Sequence, residues 1–148
     1  ANAKTDVEYL TRRQMMRKSP ELVRYKGELL QRVEYGADGR LAIVTIPWKE
    51  IEQYSPEYNP SVLVLDDMRL TTDVAVALAF KLYANGRITA KIRANYGWPV
   101  AAQLAEHFGG GGHPYAAGFK VQDGRTYNEI HQAVIDKTSE LLDAHQNS

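Results

Sequence analysis

Four consecutive glycines, Gly109 to Gly112, precede His113 and Pro114, and these are the residues in the chain best suited to bind a ligand. Glycine loses more backbone freedom on folding than any other residue. A folded chain therefore keeps such a run where the backbone must turn unusually or approach another group closely. Bare backbone N–H groups can form a concave site for anionic oxygens, and nearby cations add charge-assisted hydrogen bonds. A phosphate-binding loop is therefore one interpretation of the run.

A flexible linker is the alternative interpretation of the glycine run. Such linkers carry serine or charged residues, whereas here a proline and the small apolar segment at 115–118 follow at once. Gly109 also falls where a helix C-cap commonly lies, so at least one glycine has a structural explanation. The loop would follow the negative end of a helix dipole. Phosphate binding would then depend on the N–H groups of the loop and on nearby cations, and not on a helix N-terminus.

Residues for independent hydrolytic chemistry are not grouped in the sequence. The four histidines are scattered, none belongs to an HExxH motif, and no serine lies in a nucleophile elbow. Asp66 and Asp67 are adjacent, and neighbours on a helix point in different directions, so they do not form a carboxylate pair. The sequence predicts no catalytic residue and no metal site here, and no hydrolytic activity of this chain alone.

Composition limits the partners and the compartment. Eighteen basic and eighteen acidic residues among 148 give a formal net charge of zero, so nucleic-acid binding would require a local patch. The absence of cysteine fits a reducing cytoplasm. No apolar run approaches the length of a bilayer span and no secretory signal is visible. We expect one domain, a cytoplasmic location and no membrane partner.

The first half of the chain combines helical and strand patterns. Residues 6–35 are helical in pattern, with Ser19 as N-cap and Pro20 at the first helical position. The basic cluster at 12–18 is interpreted as a solvated helix face, with nucleic-acid contact as the alternative. A turn at 38–39 precedes a strand at 41–46 that is apolar on both faces, which indicates an interior position in a sheet. A short helix is expected at 48–54, and periodicity leaves residues 61–70 open between strand and helix.

The hairpin at 73–95 is the clearest structural prediction. A two-residue Asn-Gly loop would place apolar residues of one strand beside polar residues of the other. A three-residue loop, 84–86, with Tyr83 opposite Arg87 and Gly86 as a bulge, gives one fully apolar face. The other face carries alanines beside cations, either as an ordinary solvent face or as the floor of a groove for a sugar-phosphate chain.

The second half of the chain continues with a short helix, a strand and a long helix. The helix after Gly97 buries residues 100, 104 and 108, the strand covers 115–121, and Thr126 with Glu129 caps the final helix. His131 and His145 have no companions at metal-ligand spacing and are interpreted as surface residues. The expected fold is α/β (α+β): a mixed sheet with a central β-hairpin and helices packed on it.

A family resemblance rests on the same residues. The string GGGGHPYAAGF at 109–119 resembles the signature of the C-terminal DHH-associated domain, type 1, of the DHH phosphoesterases. The longer segment KIRANYGWPVAAQLAEHFGGGGHPYAAGF at 91–119 is similar to the nanoRNA-degrading oligoribonuclease branch. The resemblance covers residues 22–142. It implies a helical interdomain connector over 1–35, a substrate-binding domain over 36–148 and a helix at 61–70. Separately from the resemblance, residues 1–3 look like a cloning remnant.

The resemblance also implies a function. The domain would bind substrate for a manganese-dependent phosphoesterase that hydrolyses short oligonucleotides, with no cofactor in this chain. The catalytic DHH domain, with its metal motifs, is not among these residues. Expected partners are short single-stranded RNA or DNA, nucleotide phosphates and the N-terminal DHH domain, and a homodimer is left open. The implied substrate-binding residues, with Arg93 and His113 on phosphate, are Lys91, Arg93, Gly110, Gly111, Gly112, His113 and Pro114.

Other interpretations stay open. RecJ-type single-strand exonucleases, cyclic-dinucleotide phosphodiesterases and phosphatases of 3′-phosphoadenosine 5′-phosphate carry similar loops. Alanyl-tRNA synthetases end in a related glycine-rich domain for tRNA contact and oligomerisation, although His-Pro-Tyr-Ala-Ala-Gly fits the phosphoesterases better. In a third alternative the domain mainly dimerises or packs on its neighbour, and the glycines are required by the fold.

Overall fold

The computed structural model describes residues 19–55 and 59–148. In this part of the chain there are five helices: α1 (Pro20–Gln31), α2 (Trp48–Tyr54), α3 (Pro60–Arg69), α4 (Ala101–His107) and α5 (Tyr127–Gln146). The same residues form six strands: β1 (Glu34–Gly36), β2 (Leu41–Ile46), β3 (Val76–Leu82), β4 (Ile88–Ala94), β5 (Gly111–His113) and β6 (Ala116–Val121).

The strands of the described residues form one mixed sheet in the order β1-β2-β3-β4-β6-β5. Strands β2 and β3 are parallel, and the other neighbouring pairs are antiparallel. The β3–β4 hairpin lies at the centre of the sheet. The predicted α/β class, with a mixed sheet and a central hairpin, is confirmed.

The two faces of the sheet are covered unequally. On the first face, α4 and α5 pack over β2, β3, β4 and β6 in one hydrophobic core. On the second face, α1, α2 and α3 bury side chains against β2 and β3, and no side chain of β4, β5 or β6 belongs to that core. Over β4, β6 and β5 the described residues therefore leave the second face open.

The hairpin has the register that its sequence predicts. The Tyr83 amide donates a hydrogen bond to the Arg87 carbonyl oxygen at 2.9 Å, and Gly86 has a φ of +87°. Leu78 lies opposite Ile92 and Phe80 opposite Ala90, so the apolar residues share the first face. The three-residue loop is therefore confirmed, because it alone keeps the alternating side chains of the two strands in phase.

The helical prediction for residues 6–35 is correct only in part. The Ser19 hydroxyl caps α1 by accepting a hydrogen bond from the Leu22 amide at 3.1 Å. The helix ends at Gln31, however, and Glu34–Gly36 pairs with β2 as an edge strand. Ala37 and Asp38 both have positive φ and form the tight turn between these strands. Pairing with β2 thus overrides helical propensity at 33–35, and residues 6–18 lie outside the described part.

The other helices begin and end close to the predicted positions. The ambiguous segment at 61–70 is helix α3, capped by Asn59, whose side-chain oxygen accepts from the Ser61 amide at 3.2 Å. Helices α2 and α4 confirm the short helices, and the Thr126 hydroxyl caps α5. Asp66 and Asp67 are exposed and pair with Arg69 and Lys26, so neither carboxylate faces the other.

Removing the Phe80 ring tests the first-face core. Phe80 is fully buried and makes edge-to-face contacts with Phe119 and Tyr127 at centroid distances of 6.5 and 5.6 Å. We expect Phe80→Ala to lower the free energy of unfolding by about 4 kcal/mol, because it removes apolar contacts and leaves a cavity. Urea denaturation measures the change. Leu70→Ala, at a side chain that is 76% exposed, should change it by less than about 0.5 kcal/mol.

Candidate functional site

The open part of the second face is organised in three cross-strand rows. Directly opposed residues of antiparallel strands point to the same side of a sheet. The lower, middle and upper rows are, in turn, Lys81, Thr89, Lys120; Ala79, Lys91, Gly118, Gly111; and Ala77, Arg93, Ala116, His113. Successive rows are two residues, or about 7 Å, apart along the strands. Cations and small residues thus alternate over one continuous surface, which we call the open face.

A cleft of about 540 Å³ covers the lower and middle rows. Three lysines, Lys81, Lys91 and Lys120, line it together with the Thr89 side chain. Ser61, at the start of α3, lies on one side, and Gly110 lies on the other. No aspartate or glutamate is among the described residues that line the cleft, so its charge is positive and suits an anionic ligand.

The surroundings of Lys81 in the cleft perturb its pKa. Its ammonium group donates a hydrogen bond to the Asn59 side-chain oxygen at 2.8 Å, not to a carboxylate. Burial and, second, the positive charge of Lys91 lower the pKa of Lys81 below its usual value. A bound anion would reduce the repulsion between the two ammonium groups and stabilise both in their charged form.

Arg93 belongs to the upper row, two residues beyond Lys91 on β4. Its guanidinium donates a hydrogen bond to the Ile92 carbonyl oxygen at 2.9 Å, and it forms no ion pair with any described residue. The side chain is half-buried. A cation held by one backbone carbonyl keeps most of its five N–H donors for a ligand.

The glycine run is partly a helix cap and partly a strand. The amide of Gly109, which has a φ of +83°, donates to Glu106, and the amide of Gly110 donates to Ala105. This pair of hydrogen bonds is a Schellman motif, so the predicted C-cap at Gly109 is confirmed. Residues Gly111–His113 then pair with β6 as β5, a strand that the sequence pattern did not predict.

Close packing against β6 accounts for two further glycines. A Cβ atom at Gly110 would lie 2.2 Å from the Gly118 carbonyl oxygen, and one at Gly112 would lie 2.7 Å from the Ala117 Cα atom. Gly111 differs, because a Cβ there meets nothing within 4 Å and its φ is not positive. The fold therefore has no requirement for glycine at 111. Its bare backbone is available for close approach of a ligand.

His113 is exposed, and its tautomer follows from its surroundings. The Tyr115 amide donates a hydrogen bond to Nδ1 of the ring at 3.1 Å. While Nδ1 accepts this bond it carries no proton, so the neutral ring is protonated at Nε2. His113 can therefore offer an Nε2–H donor to a phosphate or hydroxyl oxygen without becoming charged.

The structure brings most of the sequence-predicted residues to one surface. Arg93 and His113 are both opposite Ala116, so their Cα atoms are about two strand spacings, or about 10 Å, apart. Lys91 and Gly110 line the cleft, whereas Gly111 and Gly112 form the sheet edge beside it. Pro114 turns β5 into β6, and its carbonyl oxygen accepts from the Ala101 amide at 2.9 Å. Whether these residues bind substrate stays a prediction.

Two residues of the cleft were not identified from sequence. Lys120 was missed because the strand that pairs with its own is distant in sequence. Its neighbour Thr89 lies on β4, and helix α4 separates β4 from β6 along the chain. The alternation of apolar and polar residues in 116–121 was the available signal for its direction. Ser61 gave no signal at all, since only the packing of α3 brings it to the cleft.

Metal-ligating side chains are not grouped in the described part of the chain. Within residues 19–55 and 59–148, no group of three or more histidine, aspartate or glutamate side chains is placed to hold a metal ion. The side chains of the described residues therefore do not fit a resident manganese site. None of the described helices is long and apolar enough to span a membrane.

Comparison with known families identifies the domain. The family model of the DHHA1 domain matches residues 54–140, which is more than half of the chain. The chain therefore belongs to the DHHA1 domain family. The resemblance to a DHH-associated domain, noted on the glycine-histidine signature, is confirmed.

Solved structures show the same fold in longer proteins. An exopolyphosphatase-related protein from Bacteroides fragilis is 20% identical, with a TM-score of 0.69, over 86% of this chain and 37% of its own. The pGpG-specific phosphodiesterase PggH from Vibrio cholerae is 12% identical, with a TM-score of 0.53, over 78% of this chain and 37% of its own. The chain thus spans little more than a third of either protein. No curated protein sequence matches it.

Adding one methyl group at 110 and at 111 separates the roles of the two glycines. We expect Gly110→Ala to lower the free energy of unfolding by about 2 kcal/mol, because the new Cβ atom overlaps β6 backbone. Gly111→Ala should lower it by less than about 0.5 kcal/mol, because the space is open. Urea denaturation of both variants measures the difference. Equal losses would contradict the packing assigned to Gly110.

Proposed function

We propose that this chain is the substrate-binding domain of a DHH-family phosphoesterase that hydrolyses short oligonucleotides. The observation that supports the proposal is the open face, where four cations and bare glycine backbone lie together without a carboxylate among the described residues that line the cleft. Single-stranded nucleic acid is bound in such positively charged grooves. The formal net charge of zero makes this local patch, and not the whole molecule, the source of attraction.

The row spacing suggests how a strand would lie. A terminal phosphate would accept hydrogen bonds from Arg93 and from the Nε2–H group of His113 in the upper row. The sugar-phosphate chain would then pass over Gly118 and Gly111, where no side chain keeps it from the sheet, toward Lys91. The lower row, with Lys81 and Lys120, would hold the next phosphate. Three rows accommodate only a few nucleotides, which fits a short substrate.

Binding here would serve chemistry in another domain. We infer that a neighbouring DHH domain holds manganese and supplies a metal-activated water for attack on phosphorus. The residues of this chain would fix the end of the strand, so that the scissile bond is oriented over the metals. Holding a reactant in one geometry converts binding energy into a lower barrier for the reaction.

Direct binding tests the cationic rows. We expect the chain to bind a 5′-phosphorylated adenosine trinucleotide with an affinity that falls as salt rises. The slope of log K against log salt should be about −2, the value for three phosphate contacts on a single strand. Lys91→Ala and Arg93→Ala should each reduce the slope by about 0.7. Titration calorimetry at three salt concentrations measures it.

A matched control uses a lysine on the other side of the molecule. Lys137 lies on α5 and pairs with Glu140 at 3.1 Å, away from the open face. Lys137→Ala should leave both the affinity and the slope unchanged. A loss as large as that of Lys91→Ala would mean that binding is a general charge effect and would contradict the proposed site.

Steady-state kinetics of the whole enzyme tests the roles of the upper row. We expect Arg93→Ala and His113→Ala to raise KM for di- to pentanucleotides at least tenfold, because each removes a contact to the terminal phosphate. Arg125→Ala is the matched control, since that guanidinium is exposed and paired with Asp123. Unchanged KM in both upper-row variants would refute their roles. This chain with manganese alone should release no mononucleotide from a labelled dinucleotide.

A further inference from the structure

Tyr96 is a fully exposed aromatic side chain on a firmly held turn. Its side chain is 94% exposed, more than any other large hydrophobic residue among those the structure describes. The turn at 95–98 is closed by the Trp98 amide, which donates to the Asn95 carbonyl oxygen at 2.9 Å. The Asn95 side-chain amide donates to the carbonyl oxygens of Arg69 and Val74, both at 2.7 Å. The ring is therefore presented to solvent from a fixed backbone.

Two more rings continue from Tyr96 toward the upper row. The Tyr96 and Tyr115 rings are nearly parallel, with an interplanar angle of 20° and centroids 6.2 Å apart. The Tyr115 and His113 rings follow at 5.9 Å. Tyr115 is fixed as well, because its carbonyl oxygen accepts from the Ala94 amide at 2.9 Å. We call Tyr96, Tyr115 and His113 the aromatic shelf.

The aromatic shelf meets the upper row of the open face at His113, which belongs to both. Arg93 precedes Tyr96 by three residues, which limits their Cα separation to about 10 Å. Tyr115 directly precedes Ala116, so it points away from the open face, and its ring packs partly against the first-face core. Its contact with the upper row is the His113 ring, at a centroid distance of 5.9 Å. A phosphate at Arg93 and His113 would thus place its own nucleotide next to the rings. An exposed ring held on a rigid turn offers a face for stacking that requires little ordering on binding.

We propose that the aromatic shelf is a nucleobase-stacking site for the nucleotide whose phosphate lies at Arg93 and His113. This inference rests on the proposed function and goes beyond it, because it assigns Tyr96 and Tyr115 a role in selecting the ligand. Stacking uses the flat face of a base and accepts every base. The larger purine rings cover more of the shelf than pyrimidines, so terminal purines should bind more tightly.

The test compares ligands with and without a base on variants of Tyr96. The ligands are a 5′-phosphorylated adenosine trinucleotide and the same trinucleotide with an abasic residue at its 5′ end, followed by a second pair with the abasic residue at the 3′ end. The variants are Tyr96→Ala, Tyr96→Phe and, as a matched control, Tyr35→Ala, whose ring is 56% exposed on strand β1 at the opposite edge of the sheet. NMR titration reports both affinity and ring-current shifts of the base protons.

We expect Tyr96→Ala to weaken binding of the adenosine trinucleotide about tenfold. Tyr96→Phe and Tyr35→Ala should bind like the wild type, and the ligand that lacks the stacked base should bind wild type and Tyr96→Ala equally. Upfield shifts of the adenine protons should disappear in Tyr96→Ala. Stability should not change, because the ring is exposed.

Two results would overturn the inference while leaving the proposed function intact. One is wild-type affinity of Tyr96→Ala for the adenosine trinucleotide. The other is an equal loss with every abasic ligand, which would mean that Tyr96 acts on the phosphate path and not on a base. If the wild-type chain binds none of the trinucleotides, the proposed function itself fails, and the inference fails with it.

Discussion

Backbone contact between Gly110 and strand β6 is the constraint on which the site depends. With no side chain at 110, the chain passes from the C-cap of α4 directly onto the edge of the sheet. Any Cβ atom there would overlap the Gly118 carbonyl oxygen and push β5 away. Because β5 stays paired, His113 lies opposite Ala116 and shares a row with Arg93. The two groups proposed to hold phosphate thus depend for their common row on the close packing of Gly110 against β6.

Because helices cover the two faces of the sheet unequally, the first face supplies the stable core and the open face is available for binding. The first face is closed by α4 and α5 over the large side chains of the hairpin, and that core holds the fold together. On the second face of the described part, α1, α2 and α3 bury side chains against β2 and β3. The remaining strands can therefore carry lysine, arginine and glycine without burying an unpaired charge. Hairpin residues that alternate in sequence contribute to both tasks, one on each face.

At the upper end of the sheet, two turns with fixed backbones carry the tyrosines of the aromatic shelf. The turn that carries Tyr96 is held by hydrogen bonds from Asn95 to Val74 and Ala75, and the turn that carries Tyr115 bonds to β4 and α4. The Tyr115 ring also packs partly against the first-face core. The Tyr115 amide also holds the His113 ring in the tautomer that donates from Nε2. The rings and the bare glycine backbone therefore stand on fixed backbone, which would lower the entropy lost when a ligand binds.

Local signals in the amino-acid sequence by themselves determined the helix caps, the hairpin register, the interior strand β2 and the glycine-histidine signature of the family. Each depends on residues near one another in the chain, where turn chemistry and periodicity decide the outcome. Tertiary structure alone decided that 34–36 and 111–113 are strands, since such short segments form only when a neighbouring strand pairs with them. It also brought Lys120 and Ser61 to the cleft, because strand order and helix packing unite residues that are distant in sequence.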